Sequence, residues 1–427
     1  MTFDLVVFGG GIAGIHCALA AGRLGKEVLL VEQTGTLGGM ATSGLVNPFM
    51  RYWLNEKHLV KGLFSEVLNQ VESLGGLYQN TFDSEIMKIV LHNLIEKEKN
   101  IKCLFNTMPI EVQKSQNQIK SAKIVTNLSE NFEIKSRFWV DATGNASFAY
   151  LSGSETVSGD LDGENQALTT MFVISEVDFS KIRNEVKNKP KNFFAWVKPE
   201  MELISCAGYF QEIEKARKEG VDYPNSYFFF VQLPGHGRVS VNTTHISIDT
   251  TDSFQISQAI NTGVSQCLRV FSFAKKYIAG FEKAVLEKIA PQIGIRENRR
   301  VKGLYEFKEL DVKKRQKYKD GVVKGCYGID IHKNATELNE DELSFVPIYN
   351  DYYEIPLRAL ISKDYHNLFM AGRCISSDFP GQSAARIMPT CAGMGQALGV
   401  YLGFFNGTYD QYDKKELFAK LEEIAIY

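Results

Sequence analysis

The sequence predicts an α/β protein: a Rossmann-like dinucleotide-binding domain with a β-meander, and a mixed α/β substrate domain inserted into it. Three observations predict this. The chain opens on a complete strand–glycine turn–helix–strand unit closed by an acid; short alternating strands follow near residue 100; and the middle of the chain combines strands with one long helix but holds no second glycine fingerprint.

The opening unit comes first. Residues 5–8 are an apolar run that stops at Gly9; a helical pattern starts at Ile12, a second apolar run follows Lys26, and Glu32 closes it. In this spacing Gly9 allows the tight turn, Gly11 lets a pyrophosphate approach the backbone, and Gly14 lets the helix lie close to the strand. The free N–H groups at the helix start, Ile12 and Ala13, and the positive dipole end face the phosphates. Glu32, with Gln33 beside it, is placed to accept hydrogen bonds from ribose hydroxyls and would repel a 2′-phosphate, so FAD or NAD is expected rather than NADP.

Residues 36–44, Thr-Leu-Gly-Gly-Met-Ala-Thr-Ser-Gly, put a second glycine pair where an NAD domain would start another helix. This stretch resembles the flavin disulfide reductase superfamily, the glutathione reductase-like proteins, in which the loop runs under FAD. Residues 38–49, from Gly38 to Phe49, resemble more narrowly the bacterial FAD-dependent oxidoreductase family with a single FAD domain. The resemblance implies FAD as cofactor, with Gly38, Gly39 and Met40 against it. The loop holds no histidine, cysteine or tyrosine, so the FAD is expected to be non-covalent.

The 427 residues suffice for two domains with real cores. A net charge of -2 gives no reason to expect nucleic acid or an anionic membrane as partner. No apolar stretch approaches the ~20 residues that span a bilayer. The first strand begins with no signal peptide ahead of it, so the expected location is the cytoplasm. Seven scattered cysteines form no CxxC pair, which argues against a disulfide framework, a metal site and the dithiol branch of the superfamily.

Beyond the glycine loop, Leu63, Phe64, Val67, Leu68 and Val71 recur at helix spacing and Gly75-Gly76 ends that helix. Asp83-Ser84 reads as the cap of another, with Ile86, Ile89, Val90, Leu94 and Ile95 on its buried face. Residues 102–106, 109–115, 121–127 and 131–135 read as short strands of a meander, with Gln116-Asn117 as a turn. By resemblance a residue near Glu111 or Val112 contacts the adenine. Residues 137–145 then form an apolar strand ending in Ala142-Thr143-Gly144, which matches the superfamily's second FAD motif. The expected FAD domain is therefore residues 1–154 and 355–427, with the substrate domain at 155–354.

Within the substrate domain, residues 168–175 and 227–233 read as strands, and 234–237 as a hairpin turn. Residues 253–279 read as a long helix whose Ile256, Ile260, Val264, Cys267, Leu268, Phe271, Ala274 and Ile278 share one side. Residues 293–300 gather Arg296, Arg299 and Arg300 around Glu297; Asp330 and His332 stand two apart near a strand end. Both segments resemble the same oxidoreductase family, with Asn298 where relatives commonly carry serine. The chain returns through 367–374, whose Gly372-Arg373 matches the third FAD motif. By resemblance Arg373 lies near the ribityl chain and phosphates. The helix after Arg386, starting at Met388-Pro389-Thr390, points its free N–H groups back at the site; the resemblance implies that they stabilise the negative charge of reduced flavin. Relatives carry histidines between residues 374 and 386; this chain has Phe379 and Gln382.

The expected reaction is hydride transfer between flavin N5 and a small polar substrate, with electrons exchanged with the substrate or a separate carrier because the chain has no NAD(P)H domain. His332 is the candidate base and Asp330 its orienting partner; the competing reading is a histidine bonded within its own domain. Arg296 is the candidate anchor for a carboxylate or oxyanion, against a buried salt bridge with Glu297. A flavin monooxygenase or halogenase, and an electron-transfer subunit without a free substrate, stand as alternatives.

Overall fold

A computed structural model of the chain describes residues 1–332, 345–346, 348 and 350–425. At the centre of a seven-stranded sheet, Thr2–Phe8 pairs in parallel with Val28–Val31 on one side and Asn131–Asp141 on the other. Ile101–Leu104 extends the sheet beyond Val28–Val31, and Leu368–Met370 joins Asn131–Asp141. These valine- and leucine-rich strands are buried on both faces, as a parallel sheet covered by helices requires.

Two expectations about the meander change. Residues 101–104 belong to the parallel sheet, and residues 131–141 form one strand rather than two. Its first residues pair antiparallel with Gln118–Thr126, while its last pair in parallel with Thr2–Phe8. Different partners for the two halves give the strand two burial patterns, which read in sequence as two strands. Thr107–Ser115 completes the meander.

Three helices cover one face of the parallel sheet around Ile12–Arg23. Asp83 caps Ser84–Lys97 by accepting from the Glu85 and Ile86 amides at 2.8 and 3.1 Å. That helix buries Met87 and Leu91, while Ile89 of the expected face is exposed. Arg23, nearly buried, joins the first helix to Glu66 on Leu63–Ser73 and to Glu98, both at 2.6 Å. Helix Met388–Gly403 lies against Ile12–Arg23, where Gly395 and Gly399 meet the Ala13 and Cys17 carbonyl oxygens with no room for a Cβ and Gly403 lies close to Leu24.

The inserted part is an antiparallel five-stranded sheet, ordered Ser205–Gly208, Phe228–Gln232, Val239–Val241, Phe172–Ser175, Val285–Ile289. Helix Ser253–Tyr277, capped by Asp252, packs on one face through Cys267, Val270, Phe273 and Ala274. The expected face is displaced: Ile260, Val264 and Leu268 are exposed, and Ala259 and Gly263 are buried instead. A side chain at Gly263 would strike Thr170, so small residues, not the large apolar ones, make the contact. Val301, Phe307, Val312, Val322 and Val323 pack in the core of the nucleotide-binding half, ahead of the expected limit at residue 355. Among the described residues no helix is long and apolar enough to cross a membrane.

Candidate active site

Between the two sheets lies a cavity of about 1840 Å³, well above the ~300–1,000 Å³ of a pocket for one drug-sized ligand. Gly9, Gly11, Ile12 and Ala13 line it from the first turn, and Glu32 and Gln33 from the end of the second strand. Gly38, Gly39 and Met40 form the next stretch of wall. Ala142, Thr143 and Gly144 come from the second motif. Gly372, Arg373, Arg386 and Met388 close the circuit from the carboxy-terminal segment.

Three expected residues are absent from this wall. Gly14 lies behind the turn, where a Cβ would collide with the Gly9 carbonyl oxygen; its role is packing. Val112 packs on the core instead, and the strand meets the cavity earlier, at Thr107, Met108 and Pro109. Thr390 is buried inside its helix, leaving Met388 and Cys391 to face the cavity.

The lining fits FAD. A Cβ at Gly11 would meet nothing within 4 Å, so the turn holds open the space a pyrophosphate fills. Neither Ile12–Arg23 nor Met388–Gly403 has a side-chain cap, so the first amides of both helices are free for a ligand. The Nε atoms of Arg373 and Arg386 are buried without a hydrogen-bond partner among the described residues, an arrangement that favours an incoming acceptor. Glu32 is buried and already accepts from the Gly10 amide at 2.6 Å and from Thr34. Arg299 reaches the wall stacked on Tyr150, whereas Arg300 turns away to Glu297.

The candidate catalytic residues meet at the other end. His332 Nε2 lies 3.3 Å from Asp330 Oδ1, and Asp330 Oδ2 accepts from Tyr327 Oη at 2.9 Å and from Arg386 Nη2 at 3.2 Å. Burial alone would raise the Asp330 carboxyl; His332, Arg386 and Tyr327 outweigh it and hold the group well below the usual carboxylate range. Burial and the facing Arg296 push the His332 ring below its ordinary value, against the pull of Asp330.

Arg296 is not paired with Glu297. Glu297 points the other way, into a buried cluster with Arg300 and Asn165, because successive residues of an extended chain face opposite sides. Arg296 donates to the Ala167 carbonyl and, at 3.4 Å, to Asn242 Oδ1, and forms no ion pair among the described residues. Burial and Arg386 bring its pKa down to about 10, which leaves it charged at neutral pH. Gln382, on the short helix Phe379–Ala385 that stands where a loop is expected, braces the site: its amide donates to the Arg296 carbonyl at 3.0 Å and accepts from Gln166 at 3.4 Å.

Sequence reasoning missed Tyr327, His245, Asn242 and the aromatic side of the cavity. One signal was present: residues 227–231, Tyr-Phe-Phe-Phe-Val, are apolar without alternation, whereas an antiparallel strand with one solvated face alternates. Phe228 and Phe230 enter the core under the long helix, and Tyr227, Phe229 and Val231 face the cavity.

A family model described as FAD dependent oxidoreductase matches residues 4–405. A dihydrolipoamide dehydrogenase from Chaetomium thermophilum is 31% identical over 111 residues, 26% of this chain and 21% of that protein, so the match spans about a fifth of that relative's length. Among solved structures, the myxobacterial chondrochloren halogenase CndH aligns with a TM-score of 0.46 at 13% identity, over 98% of this chain and 78% of that one. A geranylgeranyl bacteriochlorophyll reductase-like protein from Thermoplasma acidophilum aligns at 0.47 and 12%, over 99% and 84%. The p-nitrophenol 4-monooxygenase PnpA from Pseudomonas putida DLL-E4 aligns at 0.46 and 11%, over 99% and 84%.

Proposed function

Because the chain belongs to the FAD dependent oxidoreductase family, we propose that this FAD-dependent enzyme moves a hydride between a small substrate with a polar reacting end and the flavin, without a nicotinamide domain of its own. One observation carries the reading: a histidine backed by a half-buried, ionised carboxylate shares a cavity wall with an arginine that forms no ion pair among the described residues. FAD, when bound, supplies the hydride acceptor or donor.

The chain's own residues do the rest. The glycine turn, Glu32 and the loop at Gly38-Gly39 hold the dinucleotide, and Arg373 and Arg386 offset its negative charge. Arg296 binds an anionic group of the substrate and fixes its orientation. Asp330 keeps the proton on His332 Nε2, leaving the Nδ1 lone pair to take a proton from the substrate's hydroxyl or amine. The lowered pKa keeps that ring neutral at pH 7, and a base so placed contributes ~10²- to 10⁴-fold. Electrons then pass to a separate acceptor.

The test is an absorption spectrum of the purified protein, followed by anaerobic titration with sugars, hydroxy acids and amines. Flavin bands that one compound bleaches support the reading, and His332→Ala should slow that bleaching without altering the bands. Bleaching by dithionite alone would replace it: by a monooxygenase if the reduced protein then consumes oxygen rapidly, by an electron-transfer subunit if it does not.

A further inference from the structure

Resting on that reading, we propose that the substrate is an arylalkyl carboxylate, its ring held in an aromatic arm of the cavity and its carboxylate on Arg296. The arm is built by three segments of the inserted domain. Tyr227 and Phe229 project from strand Phe228–Gln232 and its leading residue, on the face opposite the core. Phe194, Trp196 and Phe210 come from the segments before and after strand Ser205–Gly208.

These side chains are arranged edge to face. Phe194 meets Phe210 at 5.3 Å and Tyr227 at 5.4 Å, and Trp196 meets Phe229 at 6.3 Å, all between ring centroids. Such a set presents both ring faces and ring edges to the space between them, which suits another aromatic ring better than a saturated group of equal size. Nothing in the nucleotide's chemistry requires this arm, since the glycine turn and the other two FAD motifs belong to the parallel sheet and its flanking segments, whereas the arm belongs to the five-stranded sheet.

The polar end is complementary. Arg296 is a half-buried cation whose hydrogen bonds, among the described residues, go to neutral oxygens, so an anion arriving there satisfies it. His245, on the same wall, has a buried Nε2 with no hydrogen-bond partner among the described residues. It supplies a second contact for a carboxylate or the group beside it. Tyr227 lines the same cavity as Arg296 and Asp330, which joins the arm to the polar cluster. The reacting carbon then sits between ring and carboxylate, within the reach of His332.

The experiment is calorimetric titration of the flavin-loaded protein with four probes: 3-phenylpropanoate, its amide, 3-cyclohexylpropanoate and propanoate. The acid should bind about 10- to 100-fold tighter than the amide, as a buried charge-assisted contact predicts. It should exceed the cyclohexyl acid about 2- to 10-fold, and propanoate by more. Arg296→Gln should erase the acid-over-amide preference and keep the ring preference; Phe229→Leu should do the reverse. Equal binding of acid and amide, equal binding of phenyl and cyclohexyl acids, or no binding at all overturns the proposal. The wild-type preferences decide by themselves, and half-exposed Trp196→Ala replaces Phe229→Leu if that variant does not fold. A protein that purifies without flavin bands defeats the functional reading instead, so the two failures are told apart.

Discussion

Two glycines of one motif, three residues apart, should fail in different ways when replaced by alanine. Gly11 has φ -75° and ψ -179°, open to any residue, and its added Cβ would enter free cavity. Losing a glycine helps an unfolded chain less, by about 0.4–1 kcal/mol, and a poorer helix cap costs about as much. Gly11→Ala should therefore leave the thermal unfolding of the FAD-free protein within about 2 °C of wild type, since 1 kcal/mol shifts Tm by ~2–4 °C in a domain of this size. The same methyl occupies the space of the pyrophosphate. Losing one or two charge-assisted contacts at ~1.5–3 kcal/mol each weakens FAD about 10-fold to several hundred-fold or more. At Gly14 a Cβ would fall about 1 Å inside the 3.0 Å limit to the Gly9 carbonyl oxygen and 3.2 Å from the Ala142 methyl. Overpacking of that kind costs ~1–3 kcal/mol, so Gly14→Ala should lower the FAD-free Tm by about 2–12 °C. Differential scanning calorimetry of the FAD-free proteins and fluorescence titration with FAD measure both quantities. If Gly11→Ala destabilises the FAD-free protein as much as Gly14→Ala, or binds FAD normally, the assignment of the two glycines is wrong.

Turnover should fall as pH drops through the depressed pKa of His332, because the neutral ring is the active form and burial disfavours its protonation. Asp330→Asn removes the carboxylate that pulls that pKa up, so the acid limb of kcat/KM should move to lower pH; an unmoved limb refutes the assignment. His332→Ala should lower kcat ~10²- to 10⁴-fold, read by stopped-flow reduction of the flavin. Arg23→Met removes the ion pairs to both Glu66 and Glu98 and should destabilise by about 1.5–3 kcal/mol or more, read by chemical denaturation; an unchanged denaturation midpoint refutes a stabilising role for the arginine.

Local chemistry was the legible part. The glycine turn, Glu32, the Gly38-Gly39 loop, Ala142-Thr143-Gly144 and Gly372-Arg373 each have a job set by their neighbours in sequence, and all reach one cavity. Asp330 and His332 also meet as their spacing suggested. The rest depended on contacts between distant segments. Helix Ser253–Tyr277 is apolar on two sides, and the side with larger residues was the natural choice; close approach at Gly263 decided for the other. Gln382 looked like an absent histidine, and its value as a brace between Gln166 and Arg296 exists only once three segments converge. Glu297 was the obvious mate for Arg296 by adjacency, and the alternation of an extended chain separated them.

The pairing of Trp139, Val140 and Asp141 with Leu368, Phe369 and Met370 sets a timetable for synthesis. At ~5–20 residues per second a ribosome needs about 10–45 s to make the intervening chain. For that interval the growing polypeptide carries one side of its longest strand without a mate, the kind of open edge that invites pairing with other nascent chains. The inserted sheet and its helix have a hydrophobic core of their own and emerge complete within the same wait. Their early collapse shortens the tether between the two halves of the nucleotide-binding sheet and lowers the entropy lost when the last strand docks.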